Sequence, residues 1–160
     1  MYELNLEQHI VNGGIEEAIL IVKQIGEKKD SSYVDNLIEN LKQTDSNILR
    51  NAIAIALGDI GSNKSVEPIM NLLADPKTKG SRGTLLYALR SLDYSAHTIE
   101  ITKLLLNNSI EISNESFLLL EKISKDLPVE IKKECKKIIS DHLKNNEDDY
   151  HLEEALELFD

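Results

Sequence analysis

Apolar residues recur at a spacing of about 32 residues through the middle of the chain. The matched pairs are Ile53 with Leu85, Ala56 with Ala88, Leu57 with Leu89, Ile60 with Leu92, Ile69 with Ile101, Leu72 with Leu104 and Leu73 with Leu105. A repeat of this length holds two amphipathic helices and two short turns, which together cannot bury their apolar faces alone. The repeat therefore predicts an all-α fold in which similar helical hairpins stack into a solenoid.

Apolar stripes and helix-breaking residues divide the chain into about four helical hairpins. The expected repeat units are approximately residues 14–44, 47–75, 81–108 and 113–143. Asp75-Pro76 ends the second unit, because the residue before a proline resists helical dihedrals. An acidic capping helix is predicted at about 150–159, and Leu4, Leu6 and Ile10 predict a cap at the other end. We expect one α-solenoid domain over residues 1–160.

The acidic residues are concentrated at the C-terminus. The formal charge is −10, and seven acids with no Lys or Arg follow position 146, which leaves −3 for the rest of the chain. The segment before this tail is basic, with seven Lys and four acids between Lys122 and Lys144. Two arrangements are open: the acidic tail docks on the basic segment of its own molecule, or the two present opposite patches to partners.

Membrane and secretion signals are missing from the chain as given. It has no apolar run of the roughly 18 residues that a bilayer-spanning helix needs, and Glu3 and Glu7 stand where a signal peptide would carry Lys or Arg. The expected location is the cytoplasm, without membrane association. Cys135 is the only cysteine, so an internal disulfide and a thiolate metal cluster are excluded. Its apolar surroundings favour a buried small side chain over a reactive thiol.

The sequence contains no recognisable catalytic or ligand-binding constellation. The histidines do not pair at a spacing of three or four residues, as a helical metal site requires, and Ser, His and acidic residues form no triad pattern. We therefore expect no catalytic residue, no metal site, no cofactor and no enzymatic activity.

One segment of the chain resembles a HEAT repeat of the short bacterial form that phycobilin lyases also contain. The residues that carry the resemblance are Leu49–Gly61, followed by Val66, Pro68, Leu72, Leu73 and Asp75. Ala52 and Ala56 are small enough for neighbouring helices to approach closely, and Gly61 can leave its helix through a left-handed conformation. The resemblance makes Arg50 the inter-repeat arginine, expected to bond helix-end or turn acceptors such as Asp45. The implied architecture is HEAT-like or armadillo-like.

The resemblance implies a curved scaffold whose concave side is lined by the second helix of each unit and grips another macromolecule. The residues expected to contact a partner are Asp35, Glu39, Glu67, Asn71, Glu100 and Lys103 on the second helices, and Asp148, Asp149, Glu153 and Glu157 in the tail. Asp35, Glu67 and Glu100 fall close to the repeat spacing, which would align carboxylates along one groove. Nucleic acid is therefore not an expected partner, because an acidic groove repels phosphate. The alternative is that these positions are merely a solvated helix face.

These features favour a non-enzymatic protein-binding module whose partner is basic. The most concrete hypothesis is an immunity or inhibitor protein that neutralises a basic partner such as a bacterial toxin nuclease. The alternatives are a regulatory scaffold subunit and, because the repeat resembles those of phycobilin lyases, a pigment-attachment factor. The sequence leaves the oligomeric state open.

Overall fold

The computed structural model describes the backbone of residues 2–146 and 149–160, and within these ranges the side chains from Leu6 onward. Ten α-helices and no strand occur in these ranges, and 78% of the residues are helical. The helices are α1 Tyr2–Val11, α2 Ile15–Glu27, α3 Val34–Gln43, α4 Asn47–Ile60, α5 Val66–Ala74, α6 Arg82–Leu89, α7 Thr98–Leu105, α8 Ile110–Ile123, α9 Val129–Leu143 and α10 Tyr150–Glu157. The predicted all-α, solenoid-like fold is confirmed.

In order along the chain, the helices match the expected first and second helices of each repeat: α2 and α3, α4 and α5, α6 and α7, α8 and α9. The start of α8 differs from the expectation, because the helix begins at Ile110 rather than at Ser113. Ser113 is instead buried in its first turns, where its hydroxyl donates to the carbonyl of Leu105 at 2.7 Å. The chain forms two compact units, Met1–Asp93 and Tyr94–Asp160. That all of the chain acts as one domain stays a prediction.

In the first unit, α2, α4 and α6 lie side by side and are held together by small residues. A Cβ on Gly26 of α2 would lie 2.9 Å from the Cα of Ala56 on α4. A Cβ on Gly58 of α4 would lie 2.7 Å from the carbonyl oxygen of Ala88 on α6. Gly58 follows Gly26 at the repeat spacing, and Ala88 follows Ala56 at the same spacing. The same close contact therefore joins successive first helices twice.

The second helices of this unit pack against the first helix that follows them, α3 on α4 and α5 on α6. Arg50 joins α3 to α4: its guanidinium is fully buried and donates to the carbonyl of Thr44, the C-cap of α3, and to the side chain of Asn47. The expected helix-end acceptor is thus present, but it is Thr44 rather than Asp45. Gly61 ends α4 with φ +79°, which confirms the predicted left-handed residue.

Arg82 on α6 occupies the position of Arg50 in the next repeat. Its guanidinium donates to the carbonyl of Asp75, the C-cap of α5, at 3.4 Å. Each arginine therefore reaches the carbonyl end of the preceding helix, where a cation interacts favourably with the helix dipole. Arg82 is only half-buried and its hydrogen bond is long, so its contact with the preceding helix is weaker than that of Arg50.

In the second unit, α7 packs against both α8 and α9, and α10 packs against α9. The Tyr94 hydroxyl, which is buried, donates to the carbonyl of Leu119 on α8 at 2.8 Å. Cys135 on α9 is fully buried, and the Thr102 hydroxyl of α7 donates to its sulfur at 3.3 Å. The expected burial of the cysteine is confirmed, so its thiol is a packing group.

Cys135 is expected to resist alkylation in the native chain. Burial raises the pKa of its thiol, so the reactive thiolate forms only at higher pH than in an exposed cysteine. At about pH 8, labelling by iodoacetamide should be at least about ten-fold slower in the folded chain than in the urea-unfolded chain. Mass spectrometry of timed samples measures both rates. Equal rates would show that the thiol is accessible and contradict the prediction.

Candidate functional site

The predicted partner-binding residues of the first unit lie on its two second helices. Asp35 and Glu39 of α3, and Glu67 and Asn71 of α5, are all exposed, and α3 contacts α5. We call these four residues the second-helix face. The structure thus brings them together on neighbouring helices, as the sequence predicted for this part of the row.

The carboxylates of the second-helix face are partly engaged within the unit. Lys64, at the turn before α5, pairs with Asp35 at 3.1 Å, and both side chains remain largely exposed. Glu39 accepts a hydrogen bond from the neutral amide of Gln43 on its own helix. Exposed ion pairs contribute about 0–1 kcal/mol, so they are readily exchanged for contacts with a partner.

Glu100 and Lys103 lie on α7, in the second unit, and both are exposed. Asp35 and Glu67 lie on the contacting helices α3 and α5, and that a carboxylate row continues from them to Glu100 stays a prediction. That Glu100 and Lys103 contact the same partner stays a prediction.

The acidic C-terminal helix docks on the basic helix before it. Leu152, Ala155 and Phe159 are buried, α10 packs against α9, and Lys136 of α9 pairs with the Asp160 side chain. Apolar burial and this ion pair therefore hold α10 on the basic helix of its own molecule, which is the first of the two arrangements that the charge pattern left open.

The predicted partner residues of the tail differ in position. Glu153 and Glu157 are exposed on α10, whereas Asp149 is half-buried and accepts a hydrogen bond from the Leu152 amide at 3.2 Å as the helix cap. Asp148 lies outside the described residues. Glu153 and Glu157 are therefore available for a partner, and the Asp149 carboxylate has a structural role.

A cavity of about 440 Å³ lies in the second unit between the ends of α7, α8, α9 and α10. Its polar lining includes Ser113, His142, Asp149 and His151. Ser113 bonds the α7 backbone and Asp149 caps α10, while the His151 ring packs against Phe117 with centroids 5.1 Å apart. Ser113 and His151 therefore join neighbouring helices and Asp149 caps one helix, and their described bonds do not pair a nucleophile with a base.

A second exposed surface lies on the first helices and was not predicted from the sequence. Four large apolar residues on these helices are exposed to solvent. Their relative accessible surfaces are 60% for Leu20 on α2, 69% for Ile48 and 39% for Ile55 on α4, and 47% for Tyr87 on α6. The helical stripes that carry these apolar residues on α2 and α4 continue through Lys23, Glu27, Ala52 and Asp59. We call these eight residues the first-helix face. The first-helix face thus carries large exposed apolar side chains, whereas the four residues of the second-helix face are all polar.

Two connected depressions run across the first-helix face. The first, of about 220 Å³, lies between α2 and α4 and is lined by Lys23, Glu27, Ala52, Ile55, Ala56 and Asp59. The second, of about 60 Å³, lies between α4 and α6 and shares Ile55 and Asp59 with the first. Tyr87 borders it, with the Arg90 guanidinium 4.7 Å from the centre of its ring. Ile55 and Asp59 therefore stand at the centre of one continuous surface.

The repeat spacing contains a signal for this surface. Lys23, Ile55 and Tyr87 are separated by that spacing, as are Glu27 and Asp59. The spacing, extended from the apolar positions to the polar ones, places these side chains in two aligned rows. A search limited to the buried apolar positions and to the second helices does not find these two rows.

Metal-binding clusters and bilayer-spanning helices are both absent from the described ranges. These ranges contain no group of three or more His, Cys, Asp and Glu side chains that could hold a metal ion. None of their helices combines the length and the apolar character that crossing a bilayer requires.

Comparison with known proteins identifies the repeated segment. The family model of HEAT repeats matches residues 15–90, just under half of the chain. This range covers α2 to α6 completely, and with them both copies of the glycine–alanine contact. No curated protein matches the chain. Residues 15–90 therefore form HEAT-like repeats, as the sequence predicted.

Proposed function

We propose that this chain is a protein-binding module that neutralises a basic partner, in the manner of an immunity or inhibitor protein. HEAT repeats suggest a protein-protein interaction module, and proteins built from them are generally not enzymes. The chemical nature of the partner is inferred from the charge of the exposed residues. A cytoplasmic location and a protein rather than a nucleic-acid partner belong to the same proposal.

The observation that carries the proposal is the exposure of carboxylates on both units. Glu39 and Glu67 lie on the second-helix face, and Glu153 and Glu157 lie on the outer side of α10. Docking of α10 uses Asp160 and leaves Glu153 and Glu157 in solvent. A chain with a net charge of −10 and exposed acids attracts cationic proteins and speeds their association.

The proposal predicts salt-sensitive capture of basic proteins. The immobilised full chain should retain proteins of high isoelectric point, and raising the salt from about 50 mM to about 500 mM should weaken binding by at least about ten-fold. Mass spectrometry identifies the retained proteins, and titration of one purified partner gives its dissociation constant. Retention of acidic proteins, or an affinity independent of salt, would contradict the proposal.

Charge-neutralising variants locate the effect. In the proposal, replacing Glu39 and Glu67 together with glutamine raises the dissociation constant of that partner by about five- to ten-fold. The matched control replaces the exposed Glu121 and Glu134 of the second unit, which changes the net charge equally. An equal loss in both variants would indicate a general charge effect and would count against a role of the second-helix face.

A further inference from the structure

We infer that the first-helix face is a docking site for a partner segment that carries an apolar side chain next to a Lys or Arg. The inference rests on the proposed function, since it names the surface and the contact chemistry for a basic partner. It adds to the second-helix face a second contact, on the layer formed by α2, α4 and α6.

The apolar part of the site is built by small residues. Ala52 and Ala56 form the floor of the depression between α2 and α4, and both are buried. Gly26 permits the close approach that sets the width of this depression, because a Cβ there would meet Ala56. Ile55 forms one wall and remains partly exposed. A depression of about 220 Å³ is smaller than the ~300–1,000 Å³ of typical small-molecule pockets, and it suits one side chain of a protein segment.

The two carboxylates of the site, Glu27 and Asp59, lie at helix C-termini, where the backbone carbonyls already produce a negative potential. Glu27 is the last residue of α2 and Asp59 lies in the last turn of α4, and neither last turn contains a basic residue. A carboxylate at this end of a helix faces the negative pole of the helix dipole, which disfavours it. Two such carboxylates line one depression at equivalent repeat positions. Their placement adds to the negative potential of the helix ends and favours a cationic side chain.

Neighbouring cations do not neutralise these carboxylates by direct contact. Within the described part of the chain, neither Glu27 nor Asp59 accepts a side-chain hydrogen bond or forms an ion pair, and Lys23 donates to neither of them. Arg90, at the other depression, stacks on Tyr87 and thereby extends the flat surface. The depression between α2 and α4 is therefore apolar at Ile55 and the alanines, and its charged lining holds two carboxylates and one lysine, Lys23. Ile55 and Asp59 lie one helical turn apart.

Charge selects among the possible occupants. A second copy of this chain would bring two molecules of net charge −10 together, which repulsion opposes. Nucleic acid would place phosphates against Glu27 and Asp59, which is also unfavourable. A cationic amphipathic segment of another protein satisfies the apolar depression and the carboxylates at once.

A peptide titration of the full chain tests the inference. The probe is a helical peptide of about 15 residues with Leu and Arg on one face, and its counterpart carries Glu in place of Arg. Amide chemical shifts of the labelled chain should move around Lys23, Ala52, Ile55 and Asp59 with the Arg peptide and stay unchanged with the Glu peptide. Ile55→Ser and Asp59→Asn should each raise the dissociation constant by about five- to ten-fold.

The control is Leu118→Ser, which removes an apolar side chain of similar exposure from α8. Its peptide affinity should equal that of the wild type, and circular dichroism confirms that all three variants fold. Shifts confined to α3 and α5, equal binding of the two peptides, or a concentration-dependent dimer abolished by Ile55→Ser would each overturn the inference.

The two proposals fail in different ways. Salt-sensitive capture of a basic protein that Ile55→Ser and Asp59→Asn leave unweakened overturns the docking site and keeps the proposed function. Absence of any basic partner overturns the proposed function, and the peptide shifts still decide where an apolar and cationic segment binds.

Discussion

Replacing Arg50 with alanine is expected to lower the free energy of unfolding by about 3 kcal/mol. The guanidinium is fully buried and donates to the Thr44 carbonyl at the end of α3 and to Asn47. Alanine leaves that carbonyl without its donor, which costs about 1–3 kcal/mol, and leaves a cavity in place of a long side chain. Loss of a cation at the carbonyl end of α3 adds to the cost.

Urea unfolding followed by circular dichroism measures this loss. Arg82→Ala is the matched control, because Arg82 occupies the same repeat position but is half-buried and bonds Asp75 at 3.4 Å. Its expected cost is about 1 kcal/mol. Arg50→Lys should fall between wild type and alanine, since lysine keeps the charge but cannot donate through a planar fork. An Arg50→Ala variant as stable as Arg82→Ala would refute the explanation.

Replacing Gly58 with alanine is expected to destabilise the chain, although alanine is the better helix former. The added Cβ would lie 2.7 Å from the carbonyl oxygen of Ala88 and 3.3 Å from its Cα, so α4 and α6 must move apart. Overpacking of this kind costs about 1–3 kcal/mol, which exceeds the ~1 kcal/mol that alanine gains over glycine within a helix. We expect a net loss of up to about 2 kcal/mol, measured by urea unfolding.

Gly80→Ala is the control for this substitution. A Cβ at Gly80 would meet the Nδ2 atom of the Asn47 side chain at 3.0 Å and no backbone atom, so a shift of a few tenths of an ångström relieves the contact while Asn47 still accepts from Arg50. Gly80→Ala should therefore leave the stability within about 0.5 kcal/mol of wild type. Gly26→Ala should behave like Gly58→Ala, because its Cβ would meet the backbone of α4. If Gly58→Ala raised the unfolding free energy, the close contact would not limit the packing.

The helices could be predicted from the sequence because apolar periodicity and helix-ending residues each determine the conformation of a short segment. The recurrence of Ile53 and Leu57 at Leu85 and Leu89 reports which residues are buried, and Gly61 marks where a helix ends. Such signals need no knowledge of which helix packs on which. They were sufficient for the first and second helices of each repeat.

The exposed surface could not be predicted in the same way. α4 contacts α2, α3 and α6, so its sequence is apolar on most sides, and periodicity does not show that Ile55 is left in solvent. The contact that Arg82 makes was not predicted from the sequence, because the repeats were recognised from the spacing of apolar residues and Arg82 is polar. Its role depends on the Asp75 carbonyl, which is brought near only by folding.

The recurrence of the glycine and alanine contact governs how such a chain can lengthen. Copying the whole block from Gly26 up to Gly58 would recreate the same junction on both sides of the added block. A shift of one or two residues within α4 would rotate Gly58 away from α6 and present a larger side chain there. Growth by whole blocks is therefore compatible with this packing, whereas small insertions inside the first helices are not.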